Sequence, residues 1–432
     1  MAQNTSKRNL LIIAYFFQPT NVIASVRLFH FYRESKKYFD WITVISCSNR
    51  HLIKKDDSLK LKDVDLYEVP AFDWRRLILL KSEDNDPTFS STLKKNSIVR
   101  WGRQLVEGFP LNIIIGDGGL FYILSIYRQA CKIIRRNNIT HIFSSYRPYS
   151  DHLIAHLLKR RFPHLFWIAD FRDLHVDPLR KNVLWPAFQR WCNRRILRRA
   201  DLVTTVSEGL KQHLKELAPR VYVLRNGMGA VTDRSVPVEE SDQFTVVYTG
   251  ALYEGQRDPA PLFIAISELV NKKCLDPSKI SLMYAGPDGQ AWLQSARQAG
   301  IEYAVSSLGV ISRQEALQLQ CRAHLNLLLT WASPGIGGVL TGKLFEYLQA
   351  GRPILALVNG SRDPELEEIL GHWQENGVFY SEGPELPAML EQFLLRHYRI
   401  WEGTEKEIIP LDRNYLEQFS WPHQMRKLMD VL

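Results

Sequence analysis

The 432 residues of the chain exceed the size of one ordinary domain and predict two domains of about 200 residues each. Hydrophobic residues make up 45% of the sequence and charged residues 23%, as in an ordinary soluble globular protein. The net charge of +9 is compatible with nucleic acid, anionic lipid or phosphorylated ligands as partners. No recognisable nucleic-acid-binding motif accompanies the charge, so we do not expect a nucleic-acid partner.

The five cysteines are scattered, with no Cys-x-x-Cys pair, which predicts reduced thiols in a cytoplasmic protein and excludes a disulfide framework. Near the N-terminus, Lys7 and Arg8 precede the apolar run NLLIIAYFF. The run is short and lacks a small-residue cleavage site, so we predict a buried first strand and not a signal peptide. No stretch reaches the roughly 18 apolar residues of a spanning helix, which predicts a chain that is soluble or peripherally bound.

Five short apolar runs predict strands in the first half of the chain: LLIIAY, WITVIS, THIFSS, LFWIAD and LVTTVS. Helical segments alternate with them. Residues 50–118 are poorly periodic, and the pattern assigns no element to them. This segment holds the Asp-x-Asp pair Asp63 and Asp65, without the context of a metal site.

Three helical segments of the first half invite a second interpretation. The run FQRWCNRRILRRAD, residues 188–201, places five arginines around Trp191. A solvated helix face is one interpretation, and a surface resting on an anionic membrane is the other. The helix FYILSIYRQACKII is apolar enough to touch lipid, although we expect it in the core. His152 and His156 lie four residues apart on a further helix, where packing is expected over zinc binding because no third ligand is evident.

The second half alternates strands and helices more regularly. Its apolar runs are QFTVVYTG, ISLMYAG, VSSLG, HLNLLLT, PILALV and GVFY. Ser312 and Glu315 form a capping box at the start of one helix. Apolar strands that alternate with helices predict parallel sheets covered on both faces, so the expected fold is α/β, with two doubly wound domains. The join is predicted near residues 221–243, and two such domains facing each other would form a cleft.

The stretch TGKLFEYLQAGRPILAL, residues 341–357, carries the strongest functional signal. Together with PGIGG, residues 334–338, it places a glycine-rich loop between a buried strand and a helix N-terminus. Free amides and the positive end of a helix dipole bind anions there. Lys343 adds a charge that suits a phosphate, and Glu346 lies one turn later, where a ribose would offer two hydroxyls.

This stretch resembles the donor-site signature of the retaining glycosyltransferases with two Rossmann-like domains (GT-B), in particular the family-4-like group. Six other stretches agree in order: LIIAYFFQPTNVIASVRLFHF, WIADFRDLHVDP, ADLVTTVSEGL, VYVLRNGM, VVYTGALYEGQRDPAPLFIAI and SSLGVISRQEAL. The resemblance covers most of the chain except about 50–118. It implies an N-terminal acceptor domain over 1–225, joined by a crossing helix at about 413–432, and a donor domain over 226–412.

The resemblance implies roles for residues of the donor domain. Glu346 would bind the nucleotide ribose, while Thr341, Gly342 and Lys343 would bind the diphosphate. A second phosphate loop comprises Gly250, Ala251 and Arg257. Gly309 and Val310 would line the base, and Gly337 and Gly338 would lie beside the sugar.

Roles also follow for the acceptor domain. The loop from Asn21 to Arg27, with Ala24, Ser25 and Arg27 as candidate substrate contacts, would approach donor and acceptor. The DFRD loop would orient an acceptor hydroxyl through Arg172 and the carboxylates of Asp170 and Asp173. The residues assigned to catalysis are therefore Asp170, Asp173, Arg257 and Lys343.

The predicted activity is sugar transfer from a nucleotide-diphosphate sugar to a glycan or lipid-linked acceptor in surface polysaccharide assembly. We expect no metal and no cofactor besides the nucleotide sugar. We also expect a cytoplasmic protein, for which peripheral contact with the inner face of the membrane is one interpretation. Gly338 departs from the family pattern, because many relatives have a sugar-binding Glu there. The alternatives are a nucleotide-sugar epimerase or hydrolase on the same scaffold, and a non-catalytic nucleotide-sugar-binding protein.

Overall fold

The computed structural model describes residues 7–20, 23–48, 63–70, 108–115, 118–174, 176, 185–229, 242–253, 255–332, 340–383, 385–404 and 411–432. The chain divides into two compact units. The first comprises Met1–Arg225 and Gln424–Leu432, and the second comprises Asn226–His423. Among the described residues, no helix combines the length and the apolar character needed to cross a bilayer.

A parallel sheet of seven strands forms the centre of the first unit, in the order β3-β2-β1-β4-β5-β6-β7. The strands are β1 Asn9–Ala14, β2 Trp41–Cys47, β3 Asp65–Val69, β4 His141–Tyr146, β5 Phe166–Phe171, β6 Leu202–Thr205 and β7 Val221–Val223. The helices are α1 Ile23–Ser35, α2 Asn112–Ile115, α3 Leu120–Arg136, α4 Tyr149–Arg161, α5 Pro186–Leu197 and α6 Glu208–Lys215. Every residue of β1 is buried, because helices cover both faces of the sheet.

The second unit is built in the same way around six parallel strands, in the order β10-β9-β8-β11-β12-β13. The strands are β8 Phe244–Thr249, β9 Ile280–Ala285, β10 Val305–Ser307, β11 Leu325–Ala332, β12 Ile354–Gly360 and β13 Gly377–Tyr380. The helices are α7 Ala260–Asn271, α8 Gly289–Gln298, α9 Arg313–Arg322, α10 Gly342–Ala350, α11 Pro364–Gly371, α12 Leu386–Trp401 and α13 Arg413–Glu417. Two separate apolar clusters fill the two faces of the sheet.

The topology confirms the predicted fold class, α/β with two doubly wound parallel sheets. In each sheet the direction of winding reverses beside its first strand, between β1 and β4 and between β8 and β11. Ligands of such sheets bind outside the carboxyl ends of the strands at this reversal. The topology therefore indicates where in each unit a site should lie.

The C-terminal segment returns to the first unit within its last helix. α13 belongs to the second unit, and the first unit resumes at Gln424, inside α14 Trp421–Met429. Met425 and Leu428 then pack into the buried cluster of the first unit that contains Leu10 and Ile12. The apolar spacing of these two side chains accounts for the attachment, because residues three apart share one helix face.

Candidate functional site

Lys343 lies against the turn that follows β8. That turn begins at Gly250, whose φ of +131° lies in the region that favours glycine. A Cβ atom at Gly250 would lie 1.6 Å from Lys343 Nζ, so the missing side chain makes room for the ammonium group. The same Nζ stands 5.0 Å from the ring centroid of Tyr248. Within the described residues, no carboxylate lies within salt-bridge distance of Lys343.

Arg257 is the second cation at this edge of the sheet. Its side chain is buried between two aromatic rings, with Cζ 4.5 Å from the centroid of Tyr253 and 5.2 Å from that of Trp331. Nη1 donates a hydrogen bond of 3.2 Å to the carbonyl of Ala251, and Nε is buried without a partner in the described chain. Trp331 lies on β11, so Arg257 and Lys343 stand at the reversal between β8 and β11.

The electrostatics of this cation pair favour an anion. Burial of Lys343, and next the neighbouring charge of Arg257, lower the pKa of its ammonium group to about 7, against an opposing contribution from Glu346. A lysine in this state is costly to keep charged in the empty protein. A bound phosphate would supply the missing negative charge, so the pair is arranged for a phosphorylated ligand.

The N-terminus of α10 opens beside these cations. Thr341 precedes the helix and makes no capping hydrogen bond with its side chain, although its carbonyl accepts the Leu344 amide at 3.2 Å. In the part of the chain that the structure describes, and apart from its own helix and neighbours, no atom lies within 4 Å of the position that a Cβ at Gly342 would take. An uncapped first turn presents amides to an anion. Thr341, Gly342 and Lys343 thus combine amide donors with a cation, an arrangement that suits a diphosphate.

Glu346 lies one turn further along α10, where Arg313 holds its carboxylate. Arg313 Nη2 is 3.0 Å from Glu346 Oε1, and the two side chains are 35% and 27% exposed. The ion pair orients the Glu346 carboxylate while leaving part of it accessible to solvent. Sequence reasoning missed Arg313, because nothing in the pattern of α9 links it to a residue 33 positions away.

The loop after β10 presents backbone to solvent. Gly309 has a φ of +67°, and no described atom beyond its chain neighbours lies within 4 Å of the place that a Cβ there would occupy. Val310 is 67% exposed. The Gly309 carbonyl accepts the Gly286 amide at 2.8 Å, which ties this loop to the one after β9. Gly309 and Val310 could therefore support a flat ligand such as a nucleotide base. Gly337 and Gly338, like Asn21, lie outside the described residues.

Asp170 is the centre of a buried network in the first unit. Its carboxylate accepts two hydrogen bonds from Arg27, at 2.7 and 3.1 Å, and one each from the hydroxyls of Thr204 and Ser145, at 2.8 and 3.0 Å. Burial raises the pKa of Asp170, but the charge and hydrogen bonds of Arg27 outweigh it and lower the pKa below its usual value. Asp170 is 0% exposed. This burial favours a role for Asp170 in positioning Arg27 and the ends of the strands over direct contact with an acceptor.

Arg172 and Asp173 are less deeply buried than Asp170. Arg172 donates to the Ser145 hydroxyl at 3.1 Å and to the carbonyls of Tyr146 and Arg147 at 3.0 and 3.1 Å. Asp173 is partly exposed. Burial lowers the pKa of Arg172, and the negative charge of Asp173 opposes this lowering. Asp173 is thus the carboxylate of this loop that could meet an acceptor.

The other predicted contacts of the first unit lie at the start of α1. The buried Ser25 hydroxyl donates to the carbonyl of Thr20, and the Ala24 side chain is half-buried. Arg27, two residues on, donates to the carbonyls of Leu224 and Arg225 at 2.9 and 3.2 Å, as well as to Asp170. These contacts fix the backbone of the α1 N-terminus near β7. Ser25 and Arg27 therefore act in this structure as supports for the loop that precedes them.

Neither metal candidate gathers a set of ligands. His152 Nδ1 lies 2.8 Å from the Ser144 hydroxyl, whereas His156 Nδ1 lies 3.2 Å from the carbonyl of Ile196, so the two imidazoles serve different contacts. Asp65 lies on β3 and accepts the Thr43 hydroxyl at 2.7 Å. Across the ranges that the structure describes, no three His, Cys, Asp or Glu side chains form a cluster that could hold a metal ion.

No protein-family model and no curated protein sequence matches the chain, but many solved structures do. A glycosyltransferase from Rickettsia africae ESF-5 matches with a TM-score of 0.60 and 13% identity, over 98% of this chain and 97% of that one. The sucrose-phosphate synthase of Thermosynechococcus elongatus matches with a TM-score of 0.62 and 11% identity, over 98% of both chains.

The lipopolysaccharide outer core galactosyltransferase WaaB matches with a TM-score of 0.57 and 13% identity, over 98% of this chain and 100% of that one. The chain has the GT-B fold. A protein described as a UDP-N-acetylglucosamine 2-epimerase, from Listeria monocytogenes, also matches, with a TM-score of 0.53 and 11% identity over 98% and 95% of the two chains. At these identities the comparisons establish the fold, and the chemistry must come from the site.

Proposed function

We propose that the protein is a glycosyltransferase that moves a sugar from a nucleotide-diphosphate sugar to a glycan or lipid-linked acceptor. The observation that carries this proposal is the juxtaposition of Lys343 with Gly250, beside Arg257 and the open N-terminus of α10. Two cations without a carboxylate partner in the described chain, together with amide donors, suit a diphosphate. Glu346, held by Arg313, suits the ribose hydroxyls.

The chemistry assigned to these groups is stabilisation of the leaving group. In the transfer, the bond between the anomeric carbon and a β-phosphate oxygen breaks, and the acceptor oxygen forms the new bond to the anomeric carbon. The proton of the acceptor hydroxyl passes to an oxygen of the departing diphosphate, which leaves as the nucleoside diphosphate. Negative charge grows on the phosphate oxygens as the bond breaks. Lys343, Arg257 and the first amides of α10 would stabilise that charge without reorganising. We propose that the reaction needs neither metal nor additional cofactor, and that it retains the anomeric configuration, as the sequence resemblance implies.

The first unit would bind the acceptor, with Asp173 and Arg172 orienting its hydroxyl. The likeness in fold to WaaB, a galactosyltransferase of the lipopolysaccharide outer core, favours a glycan acceptor of the cell surface. We place the protein in the cytoplasm, in peripheral contact with the inner face of the membrane, and assign it no nucleic-acid partner.

A thermal-shift panel of nucleotide sugars, followed by an assay of nucleoside-diphosphate release, tests the proposal. The proposal predicts release that depends on an added acceptor and that falls about 100- to 1,000-fold in Lys343→Ala, since loss of one donor to a developing oxyanion costs about 2.7–4 kcal/mol. Acceptor-independent epimerisation would instead select an epimerase, for which the Listeria match is the supporting observation. Tight donor binding without turnover would select a non-catalytic binding protein.

A further inference from the structure

Three helices of the first unit expose large apolar side chains. Trp185, Phe188 and Trp191, at the start of α5, are 53%, 47% and 57% exposed. Side chains of α2 and α3 are exposed to between 46% and 55%, namely Ile114, Leu120, Phe121 and Leu124. We call these seven residues the apolar face. Single exposed apolar residues are common, but a group of this size marks a binding surface.

The members of the apolar face lie close together in the fold. The ring of Phe109, just before α2, lies 5.7 Å from that of Phe188 and 5.1 Å from that of Tyr149 on α4. α4 packs against both α3 and α5, and α2 packs against α3. Each of α3, α4 and α5 leads into a parallel strand, so all three begin at the carboxyl edge of the sheet. That edge also carries the loop of Arg172 and Asp173.

The exposed charges on the described residues of α2, α3 and α5 have a single sign. The described stretches 108–115, 118–136 and 185–200 contain no Asp or Glu. They contain nine exposed cationic residues, namely Arg128, Lys132, Arg135, Arg136, Arg190, Arg194, Arg195, Arg198 and Arg199. On α5, Phe188, Trp191 and Arg195 share one side by their spacing, and the Arg195 guanidinium lies 5.6 Å from the Trp191 ring centroid. The opposite side of α5 is buried and includes Ile196 and Leu197.

We propose that the apolar face binds the surface of an anionic lipid bilayer, with α5 lying in the headgroup region. Tryptophan and phenylalanine beside arginine, on a helix with one buried side, is the composition that partitions into that region. A lipid surface satisfies many cations at once, whereas a protein partner would need an equally large and purely acidic surface. The bound membrane would present a lipid-linked acceptor at the carboxyl edge of the sheet, where Arg172 and Asp173 lie. This presentation of an acceptor rests on the proposed glycosyl transfer, whereas the binding of lipid does not.

Co-sedimentation with vesicles tests the proposal. Wild-type protein is expected to bind vesicles that contain phosphatidylcholine and phosphatidylglycerol, and this binding should weaken as the salt concentration rises. It should bind only weakly to vesicles of pure phosphatidylcholine. Arg194→Gln combined with Arg198→Gln should lower the partition coefficient about 25-fold, since each charge near an anionic surface contributes about fivefold. Phe188→Ser combined with Trp191→Ser should abolish sedimentation.

The matched control is Ile264→Ser combined with Tyr303→Ser, which removes side chains that are 52% and 56% exposed in the second unit. The control should bind vesicles as the wild type does. Quenching of tryptophan fluorescence by brominated lipid should be lost in Trp185→Phe combined with Trp191→Phe, which keeps the face apolar. Thermal shifts with nucleotide sugars should be the same in all variants, so a failed donor assay leaves the lipid result interpretable.

Three results would overturn the proposal. The first is equal binding to neutral and anionic vesicles, and the second is wild-type sedimentation by the Phe188→Ser, Trp191→Ser variant. The third is no vesicle binding together with a concentration-dependent self-association that the same variant abolishes. That third result would identify the apolar face as an interface between proteins.

Discussion

Binding of a nucleotide sugar should depend on pH through Lys343. With a pKa of about 7 in the empty site, Lys343 is about 90% protonated at pH 6 and about 10% protonated at pH 8. A diphosphate stabilises the protonated form and raises the pKa on binding. Because a nucleotide sugar has no phosphate group that titrates near neutrality, the affinity should fall about tenfold between pH 6 and pH 8, or about 1.4 kcal/mol.

Isothermal titration in buffers of different ionisation enthalpy measures this linkage directly. At pH 7, binding should take up about half a proton per site, because about half of the Lys343 side chains are neutral before binding. Lys343→Met should bind more weakly, lose the slope between pH 6 and 8 and take up no proton. The matched control, Lys272→Met, removes an exposed lysine of the same unit and should behave as the wild type. An affinity independent of pH in the wild type, or an unchanged slope in Lys343→Met, would refute the reasoning.

Three further predictions concern the remaining groups of the two sites. Glu346→Ala should raise the Kd for a nucleotide sugar about tenfold or more, since hydrogen bonds to charged groups contribute about 1.5–3 kcal/mol. The variant should also bind the 2′-deoxy and ribose forms of the nucleotide sugar equally well. A variant that still preferred the ribose form would show that Glu346 does not bind the ribose. Gly250→Ala should weaken nucleotide-sugar binding by displacing the Lys343 ammonium. The matched control is Gly300→Ala, because Gly300 has a φ of +74° and no described atom beyond its chain neighbours lies near its Cβ position; this variant should lower the melting temperature without affecting binding. Asp170→Asn should lower the free energy of unfolding by about 3–5 kcal/mol in urea titrations, because it leaves the Arg27 guanidinium buried without its carboxylate. Asp173→Asn should keep the wild-type stability and slow acceptor-dependent turnover, and a stable Asp170→Asn protein would contradict the network.

The pH dependence of stability provides a check on the Asp170 network. The pKa of Asp170 is lower in the folded protein than in the unfolded chain. Its contribution is therefore complete above the unfolded pKa of about 3.9 and is lost as the pH falls through the folded value. The difference in stability between wild type and Asp170→Asn should shrink in acid and stay constant at neutral pH.

The sequence predicts the sheets well because their strands are buried on both faces. β1, β5 and β11 are six to eight residues long and mostly apolar, and at most one residue of each is not buried. β3 was missed because its residues, DLYEV, lie at the edge of the sheet and are only half-buried, so the apolar signal is weak. The three residues of β7 fall in the segment expected to be a link, and they are too short to show a period.

The sequence indicates only those features of the candidate site that lie close together along the chain. The glycine-rich approach to α10, with Lys343 and Glu346 in its first turns, is a local pattern that the sequence displays. The partners of these residues come from remote segments: Arg313 reaches Glu346 across 33 positions, and Arg27 reaches Asp170 across 143. A carboxylate in a loop after a strand looks the same in sequence whether it faces a substrate or a buried guanidinium.

A structure of the protein bound to a nucleoside diphosphate tests the central claim most directly. The account predicts phosphate oxygens within hydrogen-bonding distance of Lys343 Nζ and of the first amides of α10, with the ribose hydroxyls on the Glu346 carboxylate. A nucleotide bound elsewhere, with Lys343 still resting on Gly250 and Glu346 bonded to Arg313 alone, would contradict it.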